Sequence, residues 1–161
     1  MTTSWTLRPL TTRDSALLAT ATLGNINWSA EHVTAHDVET RPEFHHYTVL
    51  ISERGDFGIV AEVAGEPIGV VWAQLLGADD PGYGFVDEQT PELCLWVDPS
   101  SRRLGVGRCL LRALQADARR RGVARLSLSV EHGNFAAHLY AAEGFVPVER
   151  READGVMTWT S

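Results

Sequence analysis

The chain has 161 residues, 44% of them apolar and 22% charged, which suits one ordinary globular domain over residues 1–161 and argues against a disordered or fibrous chain. Its formal charge of −7 argues against a nucleic-acid binder, because phosphate affinity comes from clustered Lys and Arg. Met1 to Leu10 lacks the basic flank and apolar run of a secretion signal, and no stretch reaches the roughly 20 apolar residues of a membrane span, so a cytoplasmic location with no membrane partner is expected.

Trp5 to Leu10 alternates enough for a first strand, and Thr12 and Asp14 ahead of Ala16, Leu17 and Leu18 predict a capped helix start. A second helix is expected from Ser29, with Glu31 in its first turn, breaking near Arg41-Pro42 because a residue before proline avoids the helical region. The residues from there to Leu50 carry no clear pattern. Phe57 to Val63 and Ile68 to Leu76 are apolar and β-branched about Ala64-Gly65-Glu66-Pro67, which predicts an antiparallel hairpin. From Gly77 to Pro91 the chain is acidic and aperiodic, carries Tyr83 and Phe85, and reads as a long loop of the kind that lines a site.

Leu93 to Val97 is a wholly apolar strand stopped by Asp98-Pro99, as expected for a strand covered on both faces. The helix after it keeps Val106, Leu110, Leu111, Leu114 and Ala118 on one face and ends at Gly122. Leu126, Leu128 and Val130 alternate with serines as a strand, Asn134 to Glu143 is a short helix closed by Gly144, and the strands Phe145 to Arg150 and Val156 to Thr160 flank an Asp154-Gly155 turn. The order β-α-α-β-β-β-α-β-α-β-β confines strand-helix alternation to the second half. It predicts an α/β fold of the α+β kind, with a mixed sheet and helices on both faces.

All 14 basic residues are arginines, and eight of them fall between Arg102 and Arg125 beside a single acid, Asp117. This is either a solvated helix face or a pole for a compact polyanion. Cys94 and Cys109 each sit in an apolar pattern and read as two reduced thiols. His45-His46 has no further ligands at metal spacing, and His32, His36, His132 and His138 form no zinc set, so no metal is expected.

The segment Val97-Asp98-Pro99-Ser100-Ser101-Arg102-Arg103-Leu104-Gly105-Val106-Gly107-Arg108 is a strand end, a turn and a glycine-bearing helix start. Amides at a helix N-terminus lack internal partners, and Gly105 and Gly107 remove side chains that would hold a diphosphate away. Each charge-assisted amide bond contributes roughly 1.5–3 kcal/mol. Leu110 stands where a dinucleotide fingerprint would have its third glycine, and the Gly-Lys-Ser/Thr of a P-loop is missing, so both nucleotide alternatives lose ground.

This segment resembles the coenzyme A loop of the GCN5-related N-acetyltransferase (GNAT) family, whose pattern Arg/Gln-x-x-Gly-x-Gly/Ala is met by Arg102, Gly105 and Gly107. The likeness continues upstream through Glu92 to Pro99 and downstream through Asn134 to Phe145, and spans about Phe57 to Val148. It implies an acyl-coenzyme A N-acyltransferase fold whose mostly antiparallel sheet is splayed between the Leu93 and Val123 strands. It also implies acetyl-coenzyme A as cosubstrate and transfer of its acetyl group to a primary amine by direct attack.

Carried over residue by residue, the resemblance implies that backbone groups of Leu95, Trp96 and Val97 pair with pantetheine. Arg102 and the amides of Arg103, Leu104, Gly105, Val106, Gly107 and Arg108 would then hold the diphosphate. Asn134 resembles a residue touching the cofactor's arm, at six positions before Tyr140 where the commoner family spacing is seven. Tyr140 matches the tyrosine that protonates the departing thiolate, or else packs against Leu139 and Phe145 in the core. A phenol near pKa ~10 lies within about two units of a thiol near ~8.5, so that transfer is not far uphill.

An alkylammonium must lose a proton before attack, at roughly 4.6 kcal/mol at neutral pH. Glu92 resembles in placement the acid that serves as base in several members of the family, often through water, and is otherwise a strand-end glutamate. Asp79, Asp80, Asp87 and Glu88 precede it on the loop and either attract a cationic acceptor or are simply solvated. The expected acceptor is a small-molecule amine or a protein N-terminal or side-chain amine, and a homodimer is common among similar proteins. The alternative is a non-catalytic acyl-coenzyme A-binding sensor or interaction module on the same fold.

Overall fold

The computed structural model of the protein describes residues 4–161. Strand β1 (Thr6–Pro9) leads into a single turn at Thr12–Asp14 and then α1 (Ser15–Ile26). Thr11 starts that turn through a reciprocal box, its side chain and that of Asp14 each capping the other's backbone. A second box, Thr34 with Asp37, starts α2 (Ala35–Thr40), so the helix expected from Ser29 begins six residues later. Pro42 at the first position opens α3 (Pro42–His45), a short helix in the stretch that carries no sequence pattern.

Strands β2 (Phe57–Val63) and β3 (Glu66–Gln74) form the expected hairpin. Its turn is tight because Ala64 and Gly65 both take positive φ, 51° and 81°. β4 (Glu92–Val97), α4 (Val106–Arg120) and β5 (Arg125–Ser129) follow, then α5 (Ala136–Ala142), β6 (Val146–Pro147) and β7 (Val156–Thr160). The strand expected over Phe145 to Arg150 shortens to two residues, and a single turn at Glu152–Asp154 precedes Gly155.

The strands join one sheet in the order β1-β2-β3-β4-β5-β7-β6. Every pairing is antiparallel except β4 with β5, which is parallel and has one register pair, Glu92 with Ser127. α4 covers one face, where Val106, Leu110, Leu111, Leu114 and Ala118 are almost wholly buried against Val71, Leu93, Leu126 and Phe145. Burying each leucine contributes roughly 1.5–3 kcal/mol, so this apolar face docks the helix. α1 covers the other face with Leu18 and Ala21 against Val60, Val70 and Trp72. Among the described residues no helix is long and apolar enough to cross a membrane.

Candidate active site

Parallel pairing at a single position makes β4 and β5 diverge. The Ser127 amide donates to the Pro91 carbonyl at 3.0 Å, whereas the Asp98 amide donates to Ile68 of β3 at 2.9 Å. Peptide groups of a strand point alternately to its two sides, so Leu93, Leu95 and Val97 turn their backbone groups toward β5. That one pair takes up the Leu93 amide; past it the two strands share no further register pair, and the groups of Leu95 and Val97 face an open gap.

Trp96 differs from the sequence-based expectation. Its peptide groups turn to β3, where it is the register partner of Val70, and its indole lies against Gly24 of α1. The backbone offered to the gap is that of Leu95 and Val97.

The gap opens into a cleft of about 860 Å³ between α1 with the residues after it on one side and the β5–α5 connection on the other. Trp28 Nε1 donates to Glu131 Oε2 across these walls at 3.0 Å. At the C-terminal end of β4, a turn carries the chain into α4. Gly105 sits there at φ 91°, a left-handed conformation costly for other residues, and Arg103 shares it at φ 64°. Arg102, Arg103, Leu104, Gly105 and Arg108 are exposed, and Val106 is buried as the first helical residue. Arg102 Nε donates to the Val97 carbonyl at 3.1 Å, tying the turn to the strand end. A Cβ at Gly107 would lie 3.6 Å from Leu139 and Val97 side chains, so α5 and β4 meet the helix start there.

The arginine cluster is largely paired within the molecule. Arg108 and Arg112 contact Glu143, Arg120 and Arg121 contact Asp117, Arg125 contacts Asp87, and Arg119 lies over the Trp159 ring. Both cysteines are free, and burial pushes the Cys94 thiol well up, which keeps it protonated.

Tyr140 is 7% exposed, packs edge-on against Phe145 with ring centroids 5.9 Å apart, and lines the cleft with Leu93, Cys94 and Leu95. Its ring is thus part of the core and its position borders the cleft. Burial, with Cys94 nearby, holds the phenol above its ordinary range. Asn134 also lines the cleft; its Oδ1 accepts from the Ala136 amide at 2.9 Å and so caps the first turn of α5.

Glu92 occupies the apex of the gap and is 4% exposed. Its Oε2 accepts from the Tyr47 hydroxyl at 2.7 Å, while Oε1 is buried with no hydrogen-bond partner. Burial pushes the carboxyl up to about 7, against the opposing pull of the Tyr47 hydrogen bond and the Gly84 backbone. Gly82 makes this packing possible, since any Cβ there would collide with the Glu92 carboxylate and the Tyr47 hydroxyl.

Three of the four loop acids are engaged elsewhere. Asp80 lies 2.9 Å from His46, Asp87 pairs with Arg125, Glu88 accepts from the Ala78 amide, and none of the four, Asp79 included, lines the cavity. The carboxylates that line it are Glu43, Glu92, Glu131 and Asp154, among the aromatic rings of Trp28, Phe44, Tyr47 and Tyr83. Sequence reasoning missed Tyr47 in particular, because its role depends on a partner 45 positions away.

A sequence model of the acetyltransferase (GNAT) family matches residues 20–145. No curated protein sequence matches significantly. Solved structures of the same fold include the PaiA N-acetyltransferase of Thermoplasma acidophilum in complex with coenzyme A, at 15% identity and TM-score 0.71 over 98% of this chain and 99% of that one. The ribosomal-protein-alanine N-acetyltransferase of Brucella melitensis aligns at 24% identity and TM-score 0.68, over 97% and 99%. The yncA protein of Salmonella typhimurium, with its cofactor acetyl-CoA, aligns at 21% and 0.67, over 98% and 94%. These likenesses establish the splayed-sheet fold. The family match spans α2 to α5, the very elements that build the cleft and the glycine turn, and on it the chain belongs to the acetyltransferase (GNAT) family.

Proposed function

We propose that the protein transfers the acetyl group of acetyl-coenzyme A to a primary amine by direct attack, with Glu92 taking the amine's proton and Tyr140 giving one to the leaving sulfur. The observation that carries this reading is that Glu92 and Tyr140 border one cleft beside the open edge of β4. Acetyl-coenzyme A supplies an activated thioester carbonyl. The peptide groups of Leu95 and Val97 form an edge on which an extended amide-bearing arm can pair like a further strand. The unpaired amides from Arg103 to Arg108, with Gly105 left-handed, form a cradle for its diphosphate, and Asn134 borders the arm's path. The structural neighbours that hold coenzyme A and acetyl-CoA support this cosubstrate.

A carboxyl near 7 is divided between its two forms at neutral pH, which suits a general base working there. Burial that raises the Tyr140 phenol also raises the proton affinity of a departing thiolate in the same surroundings, so the gap between donor and acceptor stays small. The acceptor is a primary amine of a small molecule or of a protein terminus or side chain, received in a cleft whose aromatic rings suit a cation and where Glu43 and Asp154 are already paired with Arg41 and Arg151.

Thiol release from acetyl-coenzyme A with a panel of amino acids, polyamines, aminoglycosides and peptides with free N-termini tests the proposal. Turnover of at least one amine is expected, with loss of rate in Glu92→Gln and Tyr140→Phe. Folded protein that binds acetyl-coenzyme A but releases no thiol with any amine would replace this reading with that of a sensor module.

A further inference from the structure

Tyr47 is 6% exposed and its hydroxyl is fully engaged. It accepts from the Tyr83 amide at 2.9 Å and donates to Glu92 Oε2 at 2.7 Å. A phenol has one hydrogen to donate, and with the Tyr83 amide as its donor that hydrogen belongs to Glu92. The surrounding backbone is clamped as well. Trp72 Nε1 donates to the Tyr47 carbonyl at 3.1 Å, and Gln74 Nε2 donates to the carbonyls of His46 and Val49 at 2.8 and 2.9 Å. The hydroxyl therefore has one place to be. With Oε2 tied to it, Oε1 lies against Gly82, buried and without a hydrogen-bond partner, so the carboxylate is held in one orientation.

We infer that Tyr47 is a positioning residue for acetyl transfer: its hydroxyl fixes the Glu92 carboxylate at the apex of the cleft and stabilises its negative charge. The inference rests on the reading of Glu92 as the base. The other groups around Glu92 supply no cation. Its register partners Gln74 and Ser127 are uncharged, and α1 carries no charged residue. Cys94 on its own strand and Tyr140 on α5 are held protonated by burial, and His46, edge-on to the Tyr47 ring, is paired with Asp80. From the loop, only the Gly84 backbone acts in the same direction as Tyr47.

Carboxyl-carbon NMR of the protein labelled with ¹³C-glutamate reads the titration without any acceptor, and Glu92→Gln identifies the resonance by its loss. The wild-type midpoint is expected near 7. Tyr47→Phe removes a hydrogen bond to the charged form, so the midpoint should rise by about one to two pH units. The acid limb of thiol release, measured with the fastest amine of the panel, should move the same way. A merely structural role would lower the rate and leave the midpoint in place. If Tyr47→Phe does not fold, 3-fluorotyrosine at position 47 keeps the shape and donates more strongly, so the midpoint should fall. An unmoved midpoint in the folded variant overturns the inference alone. A Glu92→Gln protein that keeps both its rate and its acid limb overturns the base reading beneath it.

Discussion

Glu92 and Ser127 face each other at the one point where β4 and β5 are in register, and from that point the strands part toward Val97. The divergence makes an open strand edge and a cleft beside it, and it also puts a carboxylate at the apex, away from water. The same strand geometry thus supplies both a place for an extended thioester carrier and the burial that tunes Glu92.

That burial has a cost in stability with a defined sign. The folded state raises the Glu92 pKa from 4.5 to about 7, so it favours the neutral form. The side chain is then destabilising only once it ionises, and folding stability is lost as pH rises from about 4.5 through about 7, by at most about 3 kcal/mol. Urea unfolding at pH 5, 6, 7 and 8 should show Glu92→Gln gaining on the wild type with each step and levelling off above 7, while its kcat falls about 100-fold. A stability difference that is flat with pH would contradict the placement of this carboxyl.

Tyr140→Phe keeps the ring that packs against Phe145 and deletes only the hydroxyl. Stability should change by less than about 1 kcal/mol and acetyl-coenzyme A affinity should hold, while kcat drops about 100-fold or more, as loss of a general acid predicts. Calorimetry, thermal melting and steady-state thiol release on the one variant separate these three effects.

The two glycines of the turn should respond differently. A Cβ at Gly105 meets nothing within 4 Å, but φ of 91° strains any other residue, so Gly105→Ala should cost about 1–2 kcal/mol and weaken acetyl-coenzyme A binding. Gly107 is helical and a Cβ there makes ordinary contacts at 3.6 Å, so Gly107→Ala should leave stability equal or higher and affinity within a few-fold. Melting curves and titration of the pair check the contrast.

The parts legible in the sequence are those with local signals. The stripe of α4, the glycine at its start, the β2–β3 turn and the wholly apolar β4 all show themselves within a dozen residues. α2 also had a local signal, Thr34 with Asp37, but Glu31 and the preceding Ser29 imitate a helix start. What could not be read is what depends on pairing across the chain. Trp96 turns to β3 by strand parity, which takes meaning only once Asp98 is known to bond Ile68. Tyr47 lies in an aperiodic turn and meets Glu92 through the folding of α1 and the loop around it. The loop acids likewise read as an approach to the cleft until their partners His46 and Arg125 are in place.

On the proposed function, the open β4 edge and the α4 turn together receive the thioester carrier. Backbone amide NMR during titration with acetyl-coenzyme A tests it most directly. The amides of Leu95, Val97, Gly105, Val106 and Gly107 should shift together and saturate at one equivalent, with those of β1 unmoved. Saturable binding that leaves these five amides in place, or no shifts at all in folded protein, would contradict it.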